Sequence, residues 1–164
     1  MINLSADLLV FEKNKVPTEP IEFLKWFYKK SKWESDRDYY DIEGTSENLI
    51  NFFMEIKKEY PEMNGPYALS DEEIINNPEL ESKLTDYTID EDLIYMGFSW
   101  SVSEKAYESV QALAYKYNLG FFDMFNLYLD KDTIIEIPQI SHEEFEKQVG
   151  LTDKKSFLLR LFKK

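Results

Sequence analysis

The sequence predicts an α+β fold, a single domain in which helices pack on one face of a mainly antiparallel sheet. Three observations support this prediction. Short apolar runs bounded by turn residues alternate with stretches of helical periodicity, in the order β-α-α-β-β-α-β-β-α-α. Aromatic residues make up 16% of the chain, which provides material for a core despite the many charges. No internal repeat or Gly/Ser-rich linker interrupts the sequence, so we expect one domain over 1–164, with a C-terminal helical extension over 138–164.

The chain begins with a predicted strand at residues 4–12, an apolar run closed by turn residues. A helix is expected over 18–32, where Thr18 can act as the N-cap and Pro20 is tolerated in the first turn. The following stretch, 33–44, is polar, acidic and aromatic, and it is predicted to be a connection.

A second helix is predicted to begin at Thr45 or Ser46 and to end at Pro61. Its apolar residues form the clearest amphipathic stripe in the chain: Leu49, Phe52, Phe53, Ile56 and Tyr60. The Met-Asn-Gly-Pro segment at 63–66 is typical of a turn, because Asn-Gly tolerates positive φ and proline stops a helix. A short helix capped by its first serine is expected within 70–82.

Two strands are predicted at 86–89 and 92–99. Residues 93–98 are almost wholly apolar, so we expect that strand to be central and covered on both faces. Ser101 and Glu104 have the spacing of a capping box, which predicts the start of the next helix. The expected buried residues of that helix are Val102, Ala106, Val110, Leu113 and Tyr117.

The last part of the chain contains one strand or two within 121–129 and a further strand at 133–137. A short helix is expected over 141–150, with a second capping-box spacing at its start. A terminal helix is expected over 152–162, with apolar residues on one side and basic residues on the other.

Charge and cysteine content narrow the functional classes. The chain has 32 acidic and 19 basic residues, a formal net charge of −13, and no cysteine. An acidic surface repels nucleic acid and anionic membranes and favours a basic protein partner, although solubility alone is the competing explanation. No apolar stretch approaches the length of a membrane span, and the N-terminus lacks the pattern of a signal peptide. We therefore expect a soluble cytoplasmic protein that binds no nucleic acid and no membrane.

The charge is unevenly distributed along the chain. Residues 71–92 carry nine acids and one lysine, a net charge of −8, whereas the last twelve residues are basic. Blocks of one sign are more typical of a surface that meets a partner than of one that is uniformly solvated. Residues 71–92 are the predicted partner-facing region, and the basic terminal helix is expected to interact within the chain.

No catalytic or cofactor motif is present. The single histidine, His142, stands at the start of a predicted surface helix, where a solvated side chain is the simpler explanation. The sequence contains neither a Gly-x-Ser-x-Gly motif nor a glycine-rich phosphate loop. Asp86, Asp90, Asp92 and Asp123 could converge near strand ends, but the spacing of a calcium loop is missing. We expect no cofactor, no metal and no catalytic residue.

Aromatic residues within acidic segments are the first candidate binding site. Trp33, Tyr39 and Tyr40 lie in the connection after the first helix, close to Arg37 and several acids. Rigid aromatic anchors with a polar rim are typical of protein interfaces. Burial in the core is the alternative role of these side chains.

A second candidate is a pocket near the ends of the two strands at 86–89 and 92–99. Its expected lining residues are Asp86, Tyr87, Tyr95, Trp100, Ser101 and Asp123. The amide groups at the helix start after Trp100 could receive an anion, which would suit a small ligand or an enzyme substrate. An ordinary N-cap is the simpler role for Ser101.

Several segments stand in a recognisable order and spacing: Asp7–Phe11, Phe23–Trp26, Tyr60–Pro66, Thr85–Ile89, Ile94–Ser101 and Gly120–Asp123. Together they resemble a family of small, acidic, uncharacterised bacterial proteins. The Met-Asn-Gly-Pro and Phe-Ser-Trp-Ser segments are the most specific parts, the resemblance covers about residues 7–123, and the last forty residues depart from the pattern. It implies no catalytic residues, and the profile of the chain is similar to that of immunity proteins that neutralise bacterial toxins.

Three functional classes follow from these observations. The first is a non-catalytic protein-binding module, immunity-like, whose basic partner is a toxin domain such as a nuclease. The second is a small-ligand-binding protein or enzyme with a pocket near Asp86, Tyr95 and Trp100. The third is an interaction or scaffold protein without a toxin partner. The product of the adjacent gene is the observation that best separates the first class from the third.

Overall fold

The computed structural model of the protein describes residues 5–151. The predicted terminal helix at 152–162 lies outside the described residues. Six short strands form one sheet: β1 Ser5–Phe11, β2 Asp86–Ile89, β3 Leu93–Ser99, β4 Gly120–Phe122, β5 Asn126–Tyr128 and β6 Ile134–Glu136. Their order across the sheet is β2-β3-β1-β4-β5-β6, and every neighbouring pair is antiparallel.

Within residues 5–151, five α-helices accompany the sheet: α1 Pro20–Lys30, α2 Glu47–Glu59, α3 Asp71–Asn76, α4 Ser103–Lys116 and α5 His142–Leu151. Two 3₁₀ turns, Pro78–Lys83 and Trp100–Val102, connect them to the strands. The predicted α+β class and the mainly antiparallel sheet are confirmed.

The helices lie on both faces of the sheet, so the expectation of helices on one face is wrong. Leu8 and Val10 of β1 pack in a core that contains the buried residues of α2 and α4. Leu9 and Phe11 point the other way, into a core formed with α1 and Phe145 of α5. Because successive side chains of a strand point to opposite faces, the continuous apolar run of β1 requires cover on both sides.

The prediction that residues 93–98 form a central strand is confirmed. β3 pairs with β1 along seven residues and with β2 along four, and its side chains alternate between the two cores. Ile94, Met96 and Phe98 lie in the core with α2 and α4, whereas Leu93 packs against α1. β3 therefore joins the two cores through the sheet.

Two helix starts differ from the predicted ones. The N-cap of α1 is Glu19, whose carboxylate accepts hydrogen bonds from the amides of Ile21 and Glu22, so the assignment of Thr18 is wrong. Ser101 lies inside the 3₁₀ turn, and α4 begins two residues later without a side-chain cap. The 3₁₀ turn continues directly into α4, so there is no break in the backbone at Ser101 where a cap could act.

The other predicted elements agree closely with the structure. Ser46 caps α2, and Ser70 forms a reciprocal capping box with Glu73 at the start of α3. The segment 121–129 forms two strands joined by a tight turn. No helix of the described residues is long and apolar enough to cross a membrane.

Candidate binding pocket

A pocket of about 660 Å³ lies between the start of α4, the first half of β1 and the turn that joins β4 to β5. β4 pairs with β1 only at Leu9, Val10 and Phe11, although β1 continues back to Ser5 along β3. The chain leaves β4 at Asp123, and residues 6–8 of β1 then form one wall of the pocket.

One face of α4 supplies the opposite wall. Glu104, Tyr107, Glu108 and Gln111 all line the pocket, at the three- and four-residue spacing that places side chains on one side of a helix. The buried residues of α4, Ala106, Val110 and Ala114, face the core instead. The apolar stripe therefore anchors the helix, and its polar neighbours are left beside the pocket.

The β4–β5 turn forms the third wall and presents an exposed aromatic ring. Met124 has φ of 75°, a left-handed conformation that is strained for a residue with a side chain. One oxygen of the Asp123 carboxylate, Oδ1, accepts the amide protons of Phe125 at 3.0 Å and Asn126 at 2.7 Å. These bonds hold the turn, and Phe125 lines the pocket while 59% exposed.

The second carboxylate oxygen of Asp123 lies in a cluster with two tyrosines. Asp123 Oδ2 is 3.0 Å from the Tyr107 hydroxyl and 3.2 Å from the Tyr128 hydroxyl, and the two hydroxyls are 3.1 Å apart. Burial raises the pKa of Tyr107, and the hydrogen bonds with Tyr128 and Asp123 raise it further. At neutral pH Tyr107 is therefore a protonated donor rather than a base.

The charged residues that line the pocket are all acidic. Among the described residues its lining includes four acidic residues and no lysine or arginine: Asp7, Glu104, Glu108 and Asp123. The Asp7 carboxylate lies beside Tyr95 and Gly97 on the other face of the sheet, so three acidic side chains face the pocket. Trp100 lies at the rim and is 60% exposed, which is unusual for a large aromatic side chain. The pocket thus combines negative charge with two exposed aromatic rings, Trp100 and Phe125.

Two of the six residues predicted to line a pocket do so. Trp100 and Asp123 are lining residues, and Ser101 is exposed beside Trp100 but does not line the pocket. Tyr87 is fully buried, and its hydroxyl donates to the Tyr60 carbonyl at 2.6 Å. Tyr87 is thus a core residue.

Asp86 and Tyr95 lie away from this pocket. Asp86 is exposed on β2 opposite Gly97, and Tyr95 packs in the core on the α1 side. Burial, followed by the nearby Asp7 carboxylate, raises the pKa of Tyr95. The two faces of the sheet separate Tyr95 from the α4 wall of the pocket.

The aromatic connection at 33–44 is held against the molecule. The Trp33 ring contacts the rings of Tyr39 at 5.4 Å and Tyr95 at 6.0 Å, both edge-to-face. Arg37 crosslinks the connection, since it donates to the carbonyls of Ile89 and Asp41 and to the Thr45 hydroxyl.

These contacts indicate a structural role for Trp33 and Tyr39. Tyr40, with 39% of its surface exposed, is the one of the three predicted anchors that presents a large exposed surface.

Four lining residues were not predicted as site residues from the sequence: Glu104, Tyr107, Glu108 and Phe125. A usable signal was present in α4, where acids one helical turn apart flank a tyrosine on the side away from the buried stripe. Phe125 carried a weaker signal, an aromatic residue at the tip of a turn. Among the described residues there is no group of three or more His, Cys, Asp or Glu side chains arranged to hold a metal ion.

Fold and pocket together define an α+β protein with an acidic, aromatic-rimmed pocket at one end of an antiparallel sheet. No protein-family model, curated protein or solved structure matches the chain. Its own geometry and charge are therefore the grounds for a functional proposal.

Proposed function

We propose that the protein is a non-catalytic binding module for a basic protein partner, and that it acts as an immunity-like protein that neutralises a basic bacterial toxin domain. The observation that carries this proposal is the pocket beside α4, in which the described residues place three acidic side chains, no basic one and two exposed aromatic rings. Tryptophan is among the side chains that are enriched at the energetic centres of protein interfaces.

The charge of the whole chain supports the same partner. The whole chain has a net charge of −13, and residues 1–151 alone, with 14 basic and 31 acidic residues, have a net charge of −17. A field of this size attracts a basic partner and can raise the association rate constant by about 10- to 1,000-fold at low salt.

An acidic surface adjoins the pocket on the side of Trp100. The 3₁₀ turn Pro78–Lys83 contacts the 3₁₀ turn Trp100–Val102, and both Glu79 and Glu81 are exposed. The predicted partner-facing region at 71–92 therefore extends toward the pocket rim. A basic partner centred on Trp100 would meet both surfaces together.

A small cationic ligand is the second candidate. It is favoured by the pocket volume of about 660 Å³, which lies within the range of about 300–1,000 Å³ that is typical of ligand sites. The acids and aromatic rings that suit a basic protein also suit an organic cation. Under this alternative the protein would bind such a ligand without a protein partner.

The test uses the product of the adjacent gene, purified and titrated into this protein by calorimetry at 50 and 300 mM salt. We expect association that weakens at the higher salt, and a loss of at least tenfold in affinity for Trp100→Ala. Ile134→Ala is the matched control, because Ile134 is similarly exposed, at 58%, and does not line the pocket. Absence of association, or equal affinity for the two variants, would contradict the proposal.

A further inference from the structure

We infer that the pocket receives one long cationic side chain, an arginine or a lysine, from the basic partner, and that Glu104 and Glu108 bind its charged group. This inference rests on the proposed function and adds which chemical group is recognised and which residues recognise it. It follows from four features of the pocket: the hydrogen bonds of Asp123, the two glutamates of α4, the exposed rings and a lining that, among the described residues, includes no lysine or arginine.

Asp123 has little capacity left to bind a ligand directly. Its carboxylate accepts two backbone amides at Oδ1 and is bonded by two tyrosine hydroxyls at Oδ2. A carboxylate offers about four acceptor positions, and all four are in use. Asp123 therefore contributes negative charge and holds the turn, and the direct partners of a cation must be sought elsewhere.

Glu104 and Glu108 have that capacity. They lie one turn apart on α4, both are exposed on the pocket side, and neither has an ion-pair partner among residues 5–151. Like charges at this spacing destabilise a helix by a few tenths of a kcal/mol. A cation placed between them relieves this repulsion and gains two carboxylate partners.

The rest of the pocket suits the apolar stem of such a side chain. Lysine and arginine carry three or four methylene groups before the charge, and these groups pack well on apolar surfaces. Trp100, Phe125 and Leu8 provide such surfaces around the opening. The faces of the two exposed rings also attract a cation.

Among the described residues no lysine or arginine lines this pocket, although Lys116 and Lys131 line an adjoining depression that shares Glu108. Lys116, the lysine near the other end of α4, is bonded to Glu55 at 2.8 Å and lies outside the pocket lining. The charge of the pocket is therefore available to a partner.

The experiment uses blocked pentapeptides Gly-Gly-Xaa-Gly-Gly, in which Xaa is arginine, lysine, citrulline or norleucine. Binding is followed by the NMR signal of the Trp100 indole, assigned with Trp100→Phe. We expect the arginine and lysine peptides to shift this signal with millimolar affinity, and the neutral citrulline and norleucine peptides to bind at least fivefold more weakly. Equal binding of citrulline and arginine, or no binding of either cation, would overturn the inference.

Two double variants distinguish binding by Glu104 and Glu108 from attraction by the net charge of the whole protein. Glu104→Gln/Glu108→Gln should weaken arginine binding at least fivefold. Glu43→Gln/Glu47→Gln changes the net charge equally at exposed positions outside the pocket, and it should leave binding within twofold of the wild type. Equal losses for the two pairs would show that only the overall charge matters, and would overturn the inference. The circular dichroism of each variant reports whether it is folded.

The same variants distinguish this inference from the proposed function. If the adjacent gene product binds Glu104→Gln/Glu108→Gln as tightly as the wild type, the function stands and the inference fails. If the cationic peptides bind but the gene product does not, the recognition of a cation stands and the proposed partner fails.

Discussion

The carboxylates of Asp123, which is half-buried, and Glu62, which is buried, differ in their hydrogen bonds. Asp123 is bonded at both oxygens, as described for the β4–β5 turn. Glu62 is 1% exposed, and its Oε2 accepts the Tyr67 amide at 3.0 Å, but its Oε1 has no hydrogen-bond partner in the part of the chain that the structure describes. Burial raises the pKa of Glu62, because a charge without full hydrogen bonding is costly away from water.

The unpaired oxygen also explains a glycine in the Met-Asn-Gly-Pro turn. Gly65 has φ of 106°, and a Cβ at this position would lie 2.7 Å from Glu62 Oε1. Any other residue would therefore be strained and would also displace the carboxylate. The packing of the buried Glu62 therefore requires a glycine at position 65 of the Met-Asn-Gly-Pro turn.

The raised pKa of Glu62 predicts a pH-dependent stability. The folded protein holds the Glu62 proton more tightly than the unfolded chain, so the stability from this group is present at acid pH and is lost as the pH rises above about 4.5. Glu62→Gln cannot titrate. We expect its unfolding free energy to rise relative to wild type between pH 4.5 and 8, by about 1–3 kcal/mol, as measured by urea denaturation at each pH.

Glu73→Gln is the control of opposite sign. Hydrogen bonds from Ser70 lower the pKa of Glu73, so its contribution is present above about pH 4.5 and is lost as the pH falls. The difference between this variant and wild type should therefore change only in the acid range. A flat difference between Glu62→Gln and wild type from pH 4.5 to 8 would show that Glu62 does not titrate as inferred.

At the scale of elements, the starts of helices show how far local sequence determines structure. Ser46 and Ser101 have the same local pattern, a serine before an amphipathic stretch. Only Ser46 caps a helix: its hydroxyl accepts the Leu49 amide at 3.4 Å and donates to Glu12 at 2.6 Å. Ser101 lies within a 3₁₀ turn and is exposed.

This difference predicts unequal effects of the same substitution. Ser46→Ala should lower the unfolding free energy by about 1–2 kcal/mol, because the cap and the bond to Glu12 are both lost. Ser101→Ala should change it by less than about 0.5 kcal/mol, as an exposed surface substitution. Thermal and urea unfolding of the two variants provide the comparison. Equal destabilisation by the two substitutions would show that Ser101 also acts as a helix cap.

The strands and helices of the described residues were predictable because each has a strong local signal. The side of the sheet on which each helix packs was not predictable, since the apolar stripes of α1 and α2 show which face of each helix is buried but not which face of the sheet it meets. The pocket was only partly predictable for the same reason. Trp100 and Asp123 carried a local signal, whereas their proximity to Glu104 and residues 6–8 depends on the order of strands, which is a property of the whole sheet.

At the scale of the whole molecule, the sheet separates two cores that share β1 and β3. The three tryptophans are unequally placed relative to these cores. Trp26 and Trp33 pack against the α1-side core, and Trp100 lies at the pocket, so the core with α2 and α4 contains none. The fluorescence of Trp26 and Trp33 therefore reports on the α1 side of the sheet, and that of Trp100 reports on the pocket.

We expect the two cores to unfold together, because the shared strands couple them. Leu49→Ala, on the α2 side, and Leu24→Ala, on the α1 side, should each lower the unfolding free energy by about 2–5 kcal/mol. For both variants, tryptophan fluorescence and far-UV circular dichroism should give one coincident transition. Leu49→Ala is the sharper test, since a fluorescence midpoint that stayed at the wild-type value would mean that the α2-side core unfolds alone.

The position of β1 has a consequence for the time course of folding. β1 is an interior strand and it is made early, yet Leu9 pairs with Tyr95 and Phe122, far along the chain. At a synthesis rate of about 5–20 residues per second, the Leu-Leu-Val-Phe run waits roughly 5–20 s for its first strand partner. Such long-range pairing slows folding. Until β3 is made, the apolar residues of β1 can associate with other chains, so we expect β1 to be the main segment that a chaperone binds.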